Sequence, residues 1–232
     1  MDKNPAHIPL QDQPLLMIGL PRTGSSMTAA LFEMSGLWLG KTVPGGGPEN
    51  PKGFFENTVL REHITKPILK ALNCDPLGVR NFPKINALPV IPDFKEVVLE
   101  TIKNEGYQGN QLWGYKDSLM TLLWPIWLHA FPHTTFIIIN RREEDVINSC
   151  LNTFFMAQHS KDPVFWELFI TEYKFRINCL KKVCTQIYEL DSEDLIKREY
   201  RPIESIMEKL NLTWDKEKAD AFIEKKYWHG KV

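Results

Sequence analysis

The chain has few cysteines and no pattern among them. Cys74, Cys150, Cys179 and Cys184 form no CxxC pair, so neither a structural zinc site nor a disulfide framework is expected. Reduced, mostly buried thiols are the simpler expectation. An excess of charge is equally absent: 28 Lys and Arg stand against 29 Asp and Glu, for a net charge of −1. That balance argues against a duplex nucleic acid or an anionic membrane as the main partner. Any bound anion must be held by a few placed cations. No long hydrophobic run occurs either. The stretch from Leu119 to Phe131 is interrupted by Thr121, Pro125 and His129, and it is too short to span a bilayer. The stretch from Met1 to Pro9 is polar and lacks the apolar core of a secretory signal. These absences describe a soluble protein, expected in the cytoplasm.

What is present is ordinary globular material: 232 residues, 43% hydrophobic and 25% charged. At that length roughly 70% of the unfolded surface can be buried, so no covalent staple is needed. Four short apolar segments read as buried strands: Leu15–Leu20, Gln111–Tyr115, Thr134–Asn140 and Val183–Leu190. Helical patterns lie between and after them, over Ser26–Met34, Asp93–Asn104, Pro163–Val183, Ile203–Leu210 and Lys216–Lys226. Asp93 and Glu96 are spaced as a capping box, and Asp162 with Pro163 as an N-cap and first helical residue. Alternating strands and helices predict an α/β fold with a central parallel sheet flanked by helices. One domain over residues 1–232 is expected, with 1–13 a flexible N-terminal segment. The Gly- and Pro-dense stretch within 41–53 is expected to be a mobile surface loop.

The first strand runs through Gly19-Leu20-Pro21-Arg22-Thr23-Gly24-Ser25-Ser26 into a helix. Strand, glycine-bounded turn and helix N-terminus are the parts of a phosphate cradle, because unpaired N–H groups and the helix dipole both face the anion. Against the triphosphate loop GxxxxGK[ST], the glycines match and Ser26 fills the Ser/Thr slot. The lysine slot holds Ser25, which argues against an ATP- or GTP-using enzyme. A plain strand-to-helix turn would share the glycines. The third strand leads into Arg141-Arg142-Glu143-Glu144-Asp145 and on to Ser149. The three acids suit a helix start. Arg141 and Ser149 could together hold a phosphate monoester, although an ion pair of Arg141 with Glu144 or Asp145 is an equal alternative.

Taken together, PRTGSS and the later RREEDVINS resemble the sulfotransferase superfamily. Trp113-Gly114-Tyr115-Lys116-Asp117, Asn50-Pro51-Lys52-Gly53-Phe54-Phe55-Glu56 and Glu193-Asp194-Leu195 are similar to further elements of that family, in the expected order. The resemblance implies a P-loop-type nucleotide-binding fold. It implies transfer of a sulfuryl group from 3′-phosphoadenosine-5′-phosphosulfate (PAPS) to a hydroxyl or amine of a small-molecule acceptor, without a metal. By the same resemblance Arg22, Thr23, Gly24, Ser25 and Ser26 would hold the 5′-phosphosulfate, while Arg141 and Ser149 hold the 3′-phosphate. Lys116 would hold the sulfuryl oxygens, and Glu56 would act as base, since the family's usual histidine position is Ser118.

Departures accompany these matches. Met27 stands where an aromatic often follows the loop serines, Ser192 where a tyrosine often precedes Glu-Asp-Leu, and no basic RKGxxG segment is recognisable. Two other classes remain: a P-loop nucleotide kinase, and a non-catalytic nucleotide-binding module. Trp124 and Trp127 are expected in the core; Phe154 and Phe155 could line a pocket, although core packing is the simpler expectation. Acceptor identity and oligomeric state are left open.

Overall fold

A computed structural model describes residues 8–45, 47 and 50–228. Much of the expected N-terminal segment, and Gly46, Pro48 and Glu49 of the expected mobile loop, lie outside the described residues. Four strands, β1 (Leu15–Gly19), β2 (Gly114–Lys116), β3 (Thr135–Asn140) and β4 (Ile187–Asp191), form one parallel sheet in the order β2-β1-β3-β4. The unbroken apolar run of β1 follows from its place inside that sheet, because both faces are covered. Its side chains alternate. Leu16 and Ile18 join Phe136, Ile138, Trp113 and Trp127 in one core, while Leu15 and Met17 join Ile137, Ile139, Phe32 and Met207 in the other.

The first core is roofed by α5 (Met120–Ala130) and α8 (Pro163–Val183), through Trp127, Trp166 and Tyr173. The second lies under the helix α1 (Ser25–Met34) together with α9 (Ser192–Lys197), α10 (Arg201–Lys209) and α11 (Lys216–Phe222). This is an α/β domain with a parallel sheet flanked by helices, as the alternation of elements predicted. Three further stretches of helix lie along the connections between strands. The short α2 (Thr58–Leu60) passes through a π-helical turn, Arg61–Thr65, into α3 (Lys66–Ala71). The amphipathic α4 (Phe94–Asn104) buries Phe94, Val98 and Ile102. After β3 come α6 (Glu143–Asn152) and the single turn α7 (Phe154–Ala157).

Several expectations need correction. Helix α8 continues to Val183, so β4 starts at Ile187 and not at Val183. Helical propagation through Cys179 and Leu180 wins over the β-branched residue at the boundary. Asp93 precedes α4 in a left-handed conformation (φ 55°) and its side chain caps nothing, so the capping-box spacing is not used. Asp162 does cap α8, accepting from the Val164 N–H at 3.0 Å. The Gly/Pro stretch is closed at its base by a short antiparallel bridge between Thr42 and Asn57, with Val43 N–H donating to Glu56 O at 2.8 Å. Among the described residues, no helix is long and apolar enough to cross a membrane.

Candidate active site

The site is built at the carboxyl edge of the sheet, where β1 and β3 meet. The order β2-β1-β3-β4 makes β1 the strand at which the chain changes direction, the usual position of a ligand crevice in open α/β sheets. β1 ends at Gly19 because the loop must turn beside β3: a Cβ there would sit 2.8 Å from Ile139 O. Thr121 fixes that end on both sides. Its Oγ1 accepts from the Gly19 N–H at 3.1 Å and its hydroxyl donates to Gly19 O at 2.9 Å.

Beyond Gly19 the loop curls back on itself. The buried Thr23 hydroxyl donates to Leu20 O at 2.9 Å. Arg22 (φ 70°) and Gly24 (φ 84°) are both left-handed, a strained turn for the arginine. Successive residues in this geometry aim their N–H groups into one concavity. Gly24 is the N-cap of α1 and supplies no side-chain cap, so the first N–H groups of the helix face the same space. A Cβ on Gly24 would come within 2.9 Å of the Ser192 Cβ, and Ser192 is held in turn by donating to Asn140 O at 3.1 Å.

Three cations converge here. Arg22 Nε donates to Ser149 Oγ at 3.0 Å, and Arg141 Nη1 donates to Arg22 O at 2.7 Å. The two remaining nitrogen positions of Arg141, Nε and Nη2, are buried and have no hydrogen-bond partner among the described residues. An unsatisfied buried guanidinium N–H costs free energy unless an anion meets it. Burial pushes the Arg141 guanidinium below its ordinary value; Asp145 opposes this and Arg22 adds to it. The ion pair considered for Arg141 belongs to its neighbour: Arg142 binds Asp145 at 2.8 Å and Glu193 at 2.7 Å.

Lys116, the last residue of β2, is 3% exposed. Its ammonium donates to Glu56 Oε1 at 3.0 Å, to Phe54 O at 3.1 Å and to Ser26 Oγ at 3.3 Å. Asn50 Nδ2 reaches the same Ser26 Oγ at 3.3 Å. Glu56 Oε2 meets Arg61 at 2.8 Å, and Arg61 also binds Asp117 at 2.8 Å. Burial works against the Arg61 charge, but Asp117 and then Glu56 outweigh it and hold the guanidinium above its ordinary value. Asp117 is fully buried, with one oxygen taken by Arg61 and Tyr115 and the other by the Leu119 N–H.

Arg22, Gly24, Ser25, Ser26, Glu56, Lys116, Arg141 and Ser149 line one cavity of about 750 Å³; Thr23 is buried in the loop behind it. Sequence reasoning missed two other residues of the cavity wall, Arg61 and Trp228. Arg61 has no motif to mark it: Glu56 reaches it across the start of α2, and Asp117 only through the fold. Trp228 stacks on Arg141, with the guanidinium 3.9 Å from the ring centroid, from a position no motif marks. Phe154 and Phe155 are not core: they are 73% and 38% exposed, and Phe155 lines the cavity. Trp124 and Trp127 are in the core as expected. Among the described residues no group of three metal-ligating side chains occurs.

No family model and no curated relative matches the chain. Solved structures do match. A sulfotransferase domain from the olefin synthase of Synechococcus aligns with TM-score 0.55 at 15% identity, over 99% of this chain and 81% of that one. A sulfotransferase domain from the curacin biosynthetic pathway aligns with TM-score 0.54 at 13% identity, over 98% and 82%. A sulfotransferase of Mycobacterium tuberculosis aligns with TM-score 0.50 at 14% identity, over 90% and 70%.

Proposed function

Starting from the sulfotransferase fold, which this chain has, we propose that the protein moves a sulfuryl group from PAPS to the hydroxyl or amine of a small acceptor. One observation supports the reading: Arg141, in the wall of the cavity, has two buried guanidinium nitrogens with no hydrogen-bond partner among the described residues, and its third is tied to the phosphate loop through Arg22 O. A phosphate monoester next to a second anion on the loop satisfies both.

The residues divide the work by position. The N–H groups of Gly24 to Ser26 and the Arg22 guanidinium hold the 5′-phosphosulfate and stabilise the charge that builds on the bridging oxygen. Arg22 keeps its proton, so its part is electrostatic. Arg141 and Ser149 hold the 3′-phosphate. Lys116 binds the sulfuryl oxygens. As the acceptor O–S (or N–S) bond forms, the S–O bond to the 5′-phosphate breaks. The proton leaves to Glu56, and the adenosine bisphosphate departs with the bond's electron pair. Lys116 and Glu56 are paired at 3.0 Å. Drawing the ammonium toward the sulfuryl group frees Glu56 Oε1 to accept that proton, while Arg61 keeps the carboxylate in place. Positioning and charge neutralisation supply most of such a transfer, and no metal is required.

Calorimetry with adenosine 3′,5′-bisphosphate in excess EDTA tests the reading. Binding there, tighter than that of ATP with magnesium, is expected. Tight magnesium-dependent ATP binding with none for the bisphosphate would overturn it.

A further inference from the structure

We infer that the acceptor is an uncharged hydroxyl compound with an apolar body, an inference that rests on the proposed transfer. The cavity has two ends. Arg141, Gly24 and Trp228 mark one: Trp228 stacks on Arg141 and lies 3.2 Å from where a Gly24 Cβ would stand. The other end begins at Lys116 and Glu56, where a nucleophile must arrive, and its walls are of a different kind. Phe54, whose carbonyl accepts from Lys116, packs edge-on against Phe155 with ring centroids 6.4 Å apart. Met156, Leu77 and Val79 continue that surface around the cavity.

These apolar groups are presented by a braced wall. Asp75 accepts from the N–H groups of Leu77, Val79 and Arg80, each at 2.9 Å, and Arg80 reaches across to His159 O beside α7. Leu77 is 49% exposed and Phe155 38% exposed. Large apolar side chains held open at the mouth of a pocket bury area only when an apolar ligand arrives. Glu62, Ser118, Gln158 and His159 also line the cavity, but a sugar lying on Phe54, Phe155, Leu77 and Met156 would lose the hydration of the hydroxyls on that face without replacement. A charged body fits no better, because the nearby ions are already matched: Lys116 and Arg61 to Glu56, and Arg61 to Asp117. A hydroxyl on an aryl or alkyl frame satisfies both demands, placing its oxygen at Glu56 and its body on Phe54 and Leu77.

The test measures probe binding by calorimetry, with and without saturating adenosine 3′,5′-bisphosphate, for 4-propylphenol, 1-octanol and glucose. At least one of the first two should bind, and glucose should not. The phenol and the alkanol together decide between an aryl and an alkyl body. Phe54→Ser and Leu77→Asn should each weaken the apolar probe roughly 10-fold, as loss of a partly buried apolar side chain does, with nucleotide affinity and melting midpoint unchanged. Binding of glucose with neither apolar probe, or apolar binding indifferent to both substitutions, overturns the inference. Failure of the nucleotide to bind is a separate result: it removes the transfer reading, while the probes still report what the apolar end accepts.

Discussion

Arg22 Nε donates to Ser149 Oγ at 3.0 Å across 127 positions of sequence. That bond joins the turn after β1 to the helix after β3, so two motifs separate in the chain meet in the wall of one cavity. It also orients Arg22, whose left-handed backbone would otherwise be a cost with no return. Ser149 is 3% exposed and sits one position before the buried Cys150. The hydroxyl is therefore set by the packing of α6.

Arg141→Ala should weaken adenosine 3′,5′-bisphosphate by roughly 10- to 150-fold, because a charge-assisted hydrogen bond contributes about 1.5–3 kcal/mol. Ser149→Ala should cost less, about 0.5–1.5 kcal/mol. Adenosine 5′-phosphate, lacking the 3′-phosphate, should hardly respond. Titration calorimetry with both nucleotides separates the cases. Equal losses for the two would mean that Arg141 supports the loop through Arg22 O and does not read the 3′-phosphate.

Thr121→Val should lower stability by about 1–3 kcal/mol, seen as a melting midpoint several degrees lower. The substitution keeps the shape but strands the Gly19 N–H and removes the donor to its carbonyl, both buried. Thr121→Ser should recover most of the loss, since it restores the hydroxyl. Wild-type melting of the valine variant would show that the end of β1 is held by something else.

The parts of the site that were legible in the sequence are those packed into short consecutive runs. Gly19 to Ser26 reads as a cradle because strand, turn and helix follow without a break, and Arg141 with Ser149 reads as a pair because Arg141 lies just before the short helix α6 and Ser149 within it. Arg61 was not legible. It acts through Glu56 and Asp117, and only the π-helical turn and the end of β2 bring these together. Phe155 was misjudged for a related reason. An aromatic after a helix reads as core by composition, and only the kink at Thr153 between α6 and α7 turns it to the cavity. In the fold, β1 and β3 were legible because both faces of a parallel sheet are apolar, whereas the strand expected over Gln111–Tyr115 is β2 at Gly114–Lys116, with Trp113 making only an isolated bridge to Trp38. The start of β4 was not legible, because α8 carries apolar residues up to its boundary.

Burial pushes the Cys150 thiol from its ordinary value of 9.0 up to about 12, although Arg22 and Arg141 pull the other way. Between those two values the unfolded chain has lost a proton that the folded chain retains. Stability from this group is therefore complete below pH 9 and is lost as pH rises toward about 12, by up to about 1.4 kcal/mol per pH unit. Buried tyrosines such as Tyr107, also pushed up to about 12, add to the same slope, so the comparison must be with Cys150→Ala. Denaturant titrations at several alkaline pH values should give a shallower fall for that variant. Parallel slopes would mean that the thiol is not held neutral by its surroundings. The same neutrality should make Cys150 inert to iodoacetamide at pH 8 while the protein is folded.

Glu56→Gln should remove most of the transfer rate and leave the nucleotide site working. An attacking hydroxyl must lose its proton as the bond to sulfur forms, and a positioned base contributes roughly 10²- to 10⁴-fold. Glutamine keeps the shape and can still accept from Lys116, but it cannot take up the proton. The loss is not confined to rate, because Glu56 is 8% exposed and paired with both Lys116 and Arg61. Arg61 retains Asp117, so the fold should survive with about 1–2 kcal/mol less stability, in line with weakening a hydrogen bond to a charged group. Adenosine 3′,5′-bisphosphate should bind about as well as to the unaltered protein, since the loop, Arg22, Arg141 and Ser149 are all unchanged. Asp117 cannot stand in as base: it is fully buried and both its oxygens accept hydrogen bonds from Arg61, Tyr115 and the Leu119 N–H. Turnover equal to wild type in the glutamine variant would refute the base assignment. Lost turnover together with lost nucleotide binding would instead assign Glu56 to holding Lys116 in the site.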